Sequence, residues 1–113
     1  MKRSATLIAL AAAVILALAG CGSGTTYKAK IMDYNVLNPA DLGVTVQVTN
    51  TGQSTGTPTC QISAQDPSYA YHGFDEVTLE GTLAPGQTTH FADNIVITSQ
   101  GAQYVSQATV TCS

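Results

Sequence analysis

Between Leu42 and Thr49 every second residue is aliphatic: Leu42, Val44, Val46 and Val48 alternate with Gly43, Thr45, Gln47 and Thr49. Side chains at i and i+2 share a face only when the chain is extended, so this stretch reads as a half-buried antiparallel strand. The rest of the chain repeats the theme in shorter form. Tyr27 to Val36 is a first strand with Ile31 in the core, and Pro58 to Ala64 is a strand that puts Cys60 and Ile62 on one face. Val77 and Leu79 mark another strand, and Thr88 to Thr98 carries Phe91, Ile95 and Ile97. Asp93 falls in phase with those three, which calls for a bulge or an edge position near it. Tyr104 to Cys112 is the last strand, with Ala108, Val110 and Cys112 in phase. The punctuation agrees: Asn50-Thr51-Gly52, Asp66-Pro67-Ser68, Ala84-Pro85-Gly86-Gln87 and Ser99-Gln100-Gly101 are turn sequences, and Gly86 can supply a positive φ. No stretch after residue 25 has helical periodicity. About six or seven short strands separated by turns imply an all-β fold, a small antiparallel β-sandwich.

The N-terminus obeys different rules. Lys2 and Arg3 precede an apolar run from Ala5 to Ala19, followed by Leu18-Ala19-Gly20-Cys21 at its end. The run is about 15 residues, short of the roughly 20 that span a bilayer comfortably, and no stop-transfer charges follow. Small residues at 19 and 20 give a peptidase access to the backbone. This segment resembles the signal peptide and lipobox of a bacterial lipoprotein. The resemblance implies that residues 1–20 are removed and that Cys21 carries covalent diacylglycerol, with or without an N-acyl chain such as palmitate. Two acyl chains anchor stably where one is marginal. Gly22 to Thr26 then forms a tether that reaches about 20 Å when extended, and 27–113 is the domain. The expected location is the extracytoplasmic face of the cell membrane. Gly22 is not an aspartate of the kind that retains such proteins at an inner membrane.

Without residues 1–20 the chain retains two lysines against seven carboxylates and no arginine, a formal charge of −5. Nucleic acid is excluded as a partner, since phosphate neutralisation needs Lys or Arg. Export also gives the remaining cysteines a meaning. Cys60 and Cys112 are an even pair in an oxidising compartment and read as a disulfide. Closing a loop of roughly 50 residues stabilises a domain this small by about 4 kcal/mol on the chain-entropy model. Two free thiols or half of a metal site are the alternatives, although no Cys/His spacing of the zinc type is present.

Further resemblances bear on the domain. Val44 to Gly52, with valines running into Val48-Thr49-Asn50-Thr51-Gly52, looks like the second strand of small Ig-like domains on bacterial surfaces. Leu83-Ala84-Pro85-Gly86-Gln87-Thr88 is similar to the turn before a late strand in the same domains. Pro58-Thr59-Cys60 with Thr111-Cys112 resembles small actinobacterial lipoproteins of unassigned role. The implied fold is Ig-like, but there is no tryptophan and the first cysteine sits in the third strand, so antibody-style recognition does not carry over.

The densest aromatic and polar segment is Asp66 to Glu76, expected to be irregular. Tyr69, Tyr71, His72 and Asp75 are its candidate binding residues, because tyrosine offers large contact area at low entropy cost. The competing reading puts one tyrosine in the core and the other against the surface. His72, His90 and Asp93 would make a metal site only if the fold assembled them, and no D-x-D-x-D loop for calcium exists; no metal or cofactor is expected. Gly52-Gln53-Ser54-Thr55-Gly56 has the G-x-S-x-G spacing, but no helical sequence follows it to make a nucleophile elbow; no S-x-x-K pair or glycine-rich phosphate loop is present, and no carboxylate pair stands out, so no catalytic residue is assigned. The expectation is a lipid-anchored envelope module acting by contact, on another envelope protein or a glycan. The alternative is a structural envelope lipoprotein with no specific ligand.

Overall fold

The computed structural model describes residues 26–113; the expected signal segment, Cys21 and most of the expected tether lie outside them. The alternating stretch is a strand flanked on both sides. It is the second of six, β2 (Asp41–Asn50), with β1 (Tyr27–Asn38) on one edge and β5 (Thr88–Val96) on the other, both antiparallel. The second sheet has β3 (Thr59–Gln65) at its centre, between β4 (His72–Thr78) and β6 (Gln107–Cys112). The chain builds a hairpin in the first sheet, crosses to build one in the second, returns for β5 and crosses again for β6. The result, among the described residues, is an antiparallel β-sandwich of six strands, with sheet orders β1-β2-β5 and β4-β3-β6.

The two central strands supply most of the core. Leu42, Val44, Val46 and Val48 of β2 face Cys60, Ile62 and Ala64 of β3, all essentially excluded from solvent. Ile95, Ile97, Leu83, Ala102 and Val105 close the ends of this layer. Each central strand alternates because one face packs on the opposing sheet and the other faces water.

Several boundaries move from the sequence reading for identifiable reasons. The first strand runs on to Asn38, where the Asn38 side chain accepts from the Ala40 N–H at 2.9 Å and donates to Asp41 at 2.8 Å, closing a tight hairpin. Within β1 the register slips between Ile31 and Asp33. The extra residue, Met32, lets Ile31 and Tyr34 both face inward, so the bulge sits here and not near Asp93. Asp93 pairs with Val44 in an uninterrupted ladder on the edge strand β5. The irregular segment is shorter than Asp66 to Glu76, because His72 already belongs to β4, and Leu79 lies just past the end of that strand. The final strand starts at Gln107 instead of Tyr104, which closes a single 3₁₀ turn, Ala102–Tyr104. The Pro85-Gly86 turn has Gly86 at φ 83° and the Gln87 N–H on the Ala84 carbonyl at 2.9 Å.

One end of the sandwich is closed by polar groups. Asn50 is wholly buried at the end of β2. Its side-chain NH₂ donates to the carbonyls of Leu83 (2.8 Å) and Ser54 (2.9 Å), and its side-chain oxygen accepts from Gly52. Its main chain bonds Gln87 and Gly86. A single side chain therefore ties both crossover loops, as a buried amide must if it is not to be costly. At the same end Cys60 and Cys112 are disulfide-bonded directly across β3 and β6, with Cα atoms 4.0 Å apart. The neighbouring pair Thr59 and Ser113 exchanges both backbone hydrogen bonds at 2.9 Å. The cysteines thus occupy a non-hydrogen-bonded position, where side chains approach most closely. The bridge lies within one sheet; it does not join the two.

Candidate functional site

The opposite end of β3 carries the aromatic segment, and Asp66 organises it. Asp66 is buried at the strand's end. Its carboxylate accepts from the Ser68 hydroxyl (2.6 Å) and from the N–H groups of Tyr71 (2.8 Å) and Ser68 (3.3 Å). These bonds favour the ionised form and hold its pKa below the usual carboxylate value, the Ser68 hydroxyl contributing most and the Tyr71 N–H next. The Tyr69 N–H returns to the Asp66 carbonyl, and Asp66 and Tyr71 pair through the backbone. Tyr69 takes a left-handed conformation, φ 62°, unusual for an aromatic residue.

That backbone turn separates the four candidate residues. Tyr69 folds back onto His72, their rings parallel within 5° and 4.2 Å apart. His72 begins β4, and Phe74 follows two residues later on the same outward face. Tyr69 and Phe74 are 57% and 61% exposed, so the outer face of the β4-β3-β6 sheet bears a row of three aromatic rings. Neutral polar residues flank the row. The ladder sets His72 beside Gln65, Phe74 beside Ser63 and Glu76 beside Gln61, with Gln107, Thr109 and Thr111 on the far side of that central strand.

Tyr71 goes the other way. It stacks on Tyr104 at 4.9 Å and lies over Gly101, where any Cβ would run into its ring. Tyr69 and Tyr71 therefore do not form one patch: the first is displayed and the second packs against the core. Asp75 also faces inward, opposite Ile62 in the ladder. Phe74 is an exposed aromatic of this row that is not among the candidates read from the sequence. Its signal was available, since a lone aromatic between Gly73 and Asp75 breaks the apolar phase of Val77.

The possible metal trio is not assembled. His90 points outward from the first sheet and bonds Gln47 at 3.1 Å, Asp93 points inward, and His72 lies on the outer face of the second sheet. Among the described residues no three His, Cys, Asp or Glu side chains are grouped to hold an ion. A second surface feature is a shallow depression of about 410 Å³ on the outer face of the first sheet. It lies over Gly43 between Leu37, Asn35 and Asn94. It is open because position 43 has no side chain. Among the described residues no helix is long and apolar enough to cross a membrane.

The fold and this face define a small all-β sandwich module bearing an aromatic strip on one sheet. The chain belongs to the family described as Domain of unknown function (DUF4307), whose model matches residues 2–111. No curated protein matches it. Among solved structures, a beta-glucosidase from Kluyveromyces marxianus is 15% identical with a TM-score of 0.48, over 77% of this chain and 14% of that one. Beta-glucosidase 3B from Thermotoga neapolitana, in complex with glucose, is 14% identical with a TM-score of 0.45, over 78% and 16%. The chain thus spans a small part of those enzymes, and likeness at this level carries no argument about activity.

Proposed function

We propose that this protein is a lipid-anchored module of the cell envelope that works by contact through the Tyr69–His72–Phe74 row. The lipobox-like Leu18-Ala19-Gly20-Cys21, after a basic start and a short apolar run, supports the anchor, and Pro58-Thr59-Cys60 with Thr111-Cys112 supports the similarity to small actinobacterial lipoproteins. The observation that carries the contact role is the exposed ring stack on a turn tied by Asp66. Exposed aromatic rings on a rigid sheet lose little entropy on binding and are enriched where proteins make contact. The short tether keeps the module near the lipid surface, and the partner is another envelope component, a protein in the first instance. No residue is assigned to catalysis.

Two measurements test this reading in cells. The intact mass of the mature protein should show an acylated N-terminal Cys21, and Cys21→Ala should lose both the lipid mass and membrane retention. A different mature N-terminus without lipid would overturn the anchor. A photoreactive residue placed at position 74 should give a discrete protein adduct, while one at His90, on the other sheet's outer face, should not. Equal labelling at both positions, or none at either, would overturn the contact face.

A further inference from the structure

The side of the sandwich where β4 meets β5 is closed without a ladder, since each strand is the edge of its own sheet. The backbones nevertheless come close. A Cβ at Gly73 would collide with the Val96 carbonyl and with the Ile95 and Ile97 side chains. The His72 N–H donates to the Thr98 hydroxyl at 3.1 Å. Two residues along β4 from Gly73, Asp75 faces inward; two residues before Ile95, Asp93 faces inward from β5. Each sheet thus contributes one carboxyl to the same seam. Asp93 Oδ2 is buried and has no hydrogen-bond partner. A buried acceptor left unmet is costly, and a second carboxylate nearby makes it more so.

We propose that Asp75 and Asp93 form an acid-operated clasp between the two sheets. When Asp93 is protonated it donates its proton to a hydrogen bond with Asp75 and draws the β4 edge onto β5; when both are ionised the seam loosens. The titration of Asp93 fits this arrangement. Burial, and then the Asp75 carboxyl, push its pKa up to about 6, against a smaller opposing effect of the Asn94 N–H. Among the described residues no cation faces this pair. From β2, Leu42, Val44 and Val46 face the seam, from β3 Ile62, and from β4 Gly73 and Val77 flank Asp75. Glu76, His72 and His90 are on outer faces, and Lys28 and Lys30 are exposed on β1, the far edge of the first sheet.

The sign follows from the direction of the shift. The folded chain takes up a proton at about pH 6, whereas an unfolded aspartate does so at about 4. Stability therefore rises as pH falls through 6, is fully gained near 4, and is lost again above 6.

The direct test is a carboxyl-carbon NMR titration of the full-length chain, with the Asp93 signal identified by its absence in Asp93→Asn. The expected midpoint for Asp93 is about 6, moving downward in Asp75→Asn. A midpoint in the ordinary range near 4, or no response to Asp75→Asn, would overturn the clasp. A second readout is the melting temperature between about pH 5 and 7.5, in a His72→Gln/His90→Gln background that leaves the domain without an imidazole. The background chain should melt several degrees higher at the acid end, and Asp93→Asn should abolish that slope, because its amide donates to Asp75 at every pH. A slope that persists in Asp93→Asn would also overturn the proposal.

Discussion

The two ends of β3 are built by opposite means. At the Cys60 end a covalent bridge holds the last strand to the centre of its sheet, and Asn50 satisfies five backbone or loop groups from one buried position. At the Asp66 end a turn displays rings to solvent, and further in, toward the middle of the sandwich, an inward carboxyl oxygen on β5 goes without a partner. The first end spends its polar groups on closure; the second leaves some exposed or unmet. Within one small sandwich, this is the division expected between the part that sets stability and the part free to make contacts or respond to conditions. One group breaks the symmetry: the Tyr27 hydroxyl, on the residue paired with Asn50, is buried and unpartnered.

The largest effect should come from the bridge. Cys112→Ser should lower unfolding free energy by about 4 kcal/mol, given the 52-residue separation of the cysteines, measured by denaturant titration. A loss under about 1 kcal/mol would mean that the Cys60 end is held by its hydrogen bonds and not by the crosslink.

Asn50→Leu comes next. It leaves the carbonyls of Leu83 and Ser54 without the amide that serves them, and should cost about 3 kcal/mol. The cost should appear with Cys60–Cys112 intact. If Asn50→Leu were nearly neutral, the crossover loops would be held by the main-chain bonds alone.

These two residues differ in how far the sequence announced them. The cysteine pair was legible because an even pair in a chain expected to be exported has few other uses. Asn50 was legible only as part of a turn, since its burial depends on loops at residues 54 and 83 that no local pattern brings together. The strands followed the same division. Alternation marked β2 and the inward phase of β3, β5 and β6, because one face of each meets the core. The start of β4 did not show, because Tyr69, Tyr71, His72 and Phe74 blur the phase and only the left-handed turn at Tyr69 sorts them onto two faces. The meeting of Asp75 with Asp93 was likewise beyond reach, being set by how two sheet edges stack.

A smaller effect sharpens the exception. Tyr27→Phe removes a buried hydroxyl that bonds to nothing, so stability should stay the same or rise by up to about 1 kcal/mol. A clear loss would show that the hydroxyl finds a partner, such as an ordered water, and that the Cys60 end is fully satisfied after all.

The smallest effect on folding is expected where the effect on function should be largest. In a full-length chain carrying a photoreactive residue at Gln65, which lies beside His72 in the ladder, Tyr69→Ala with Phe74→Ala should abolish adduct formation in cells. Because both rings are mostly exposed, their removal should shift stability by no more than about 0.5 kcal/mol each. Adducts formed at undiminished yield, or lost only in step with a comparable loss of folding, would contradict the claim that this face exists for contact.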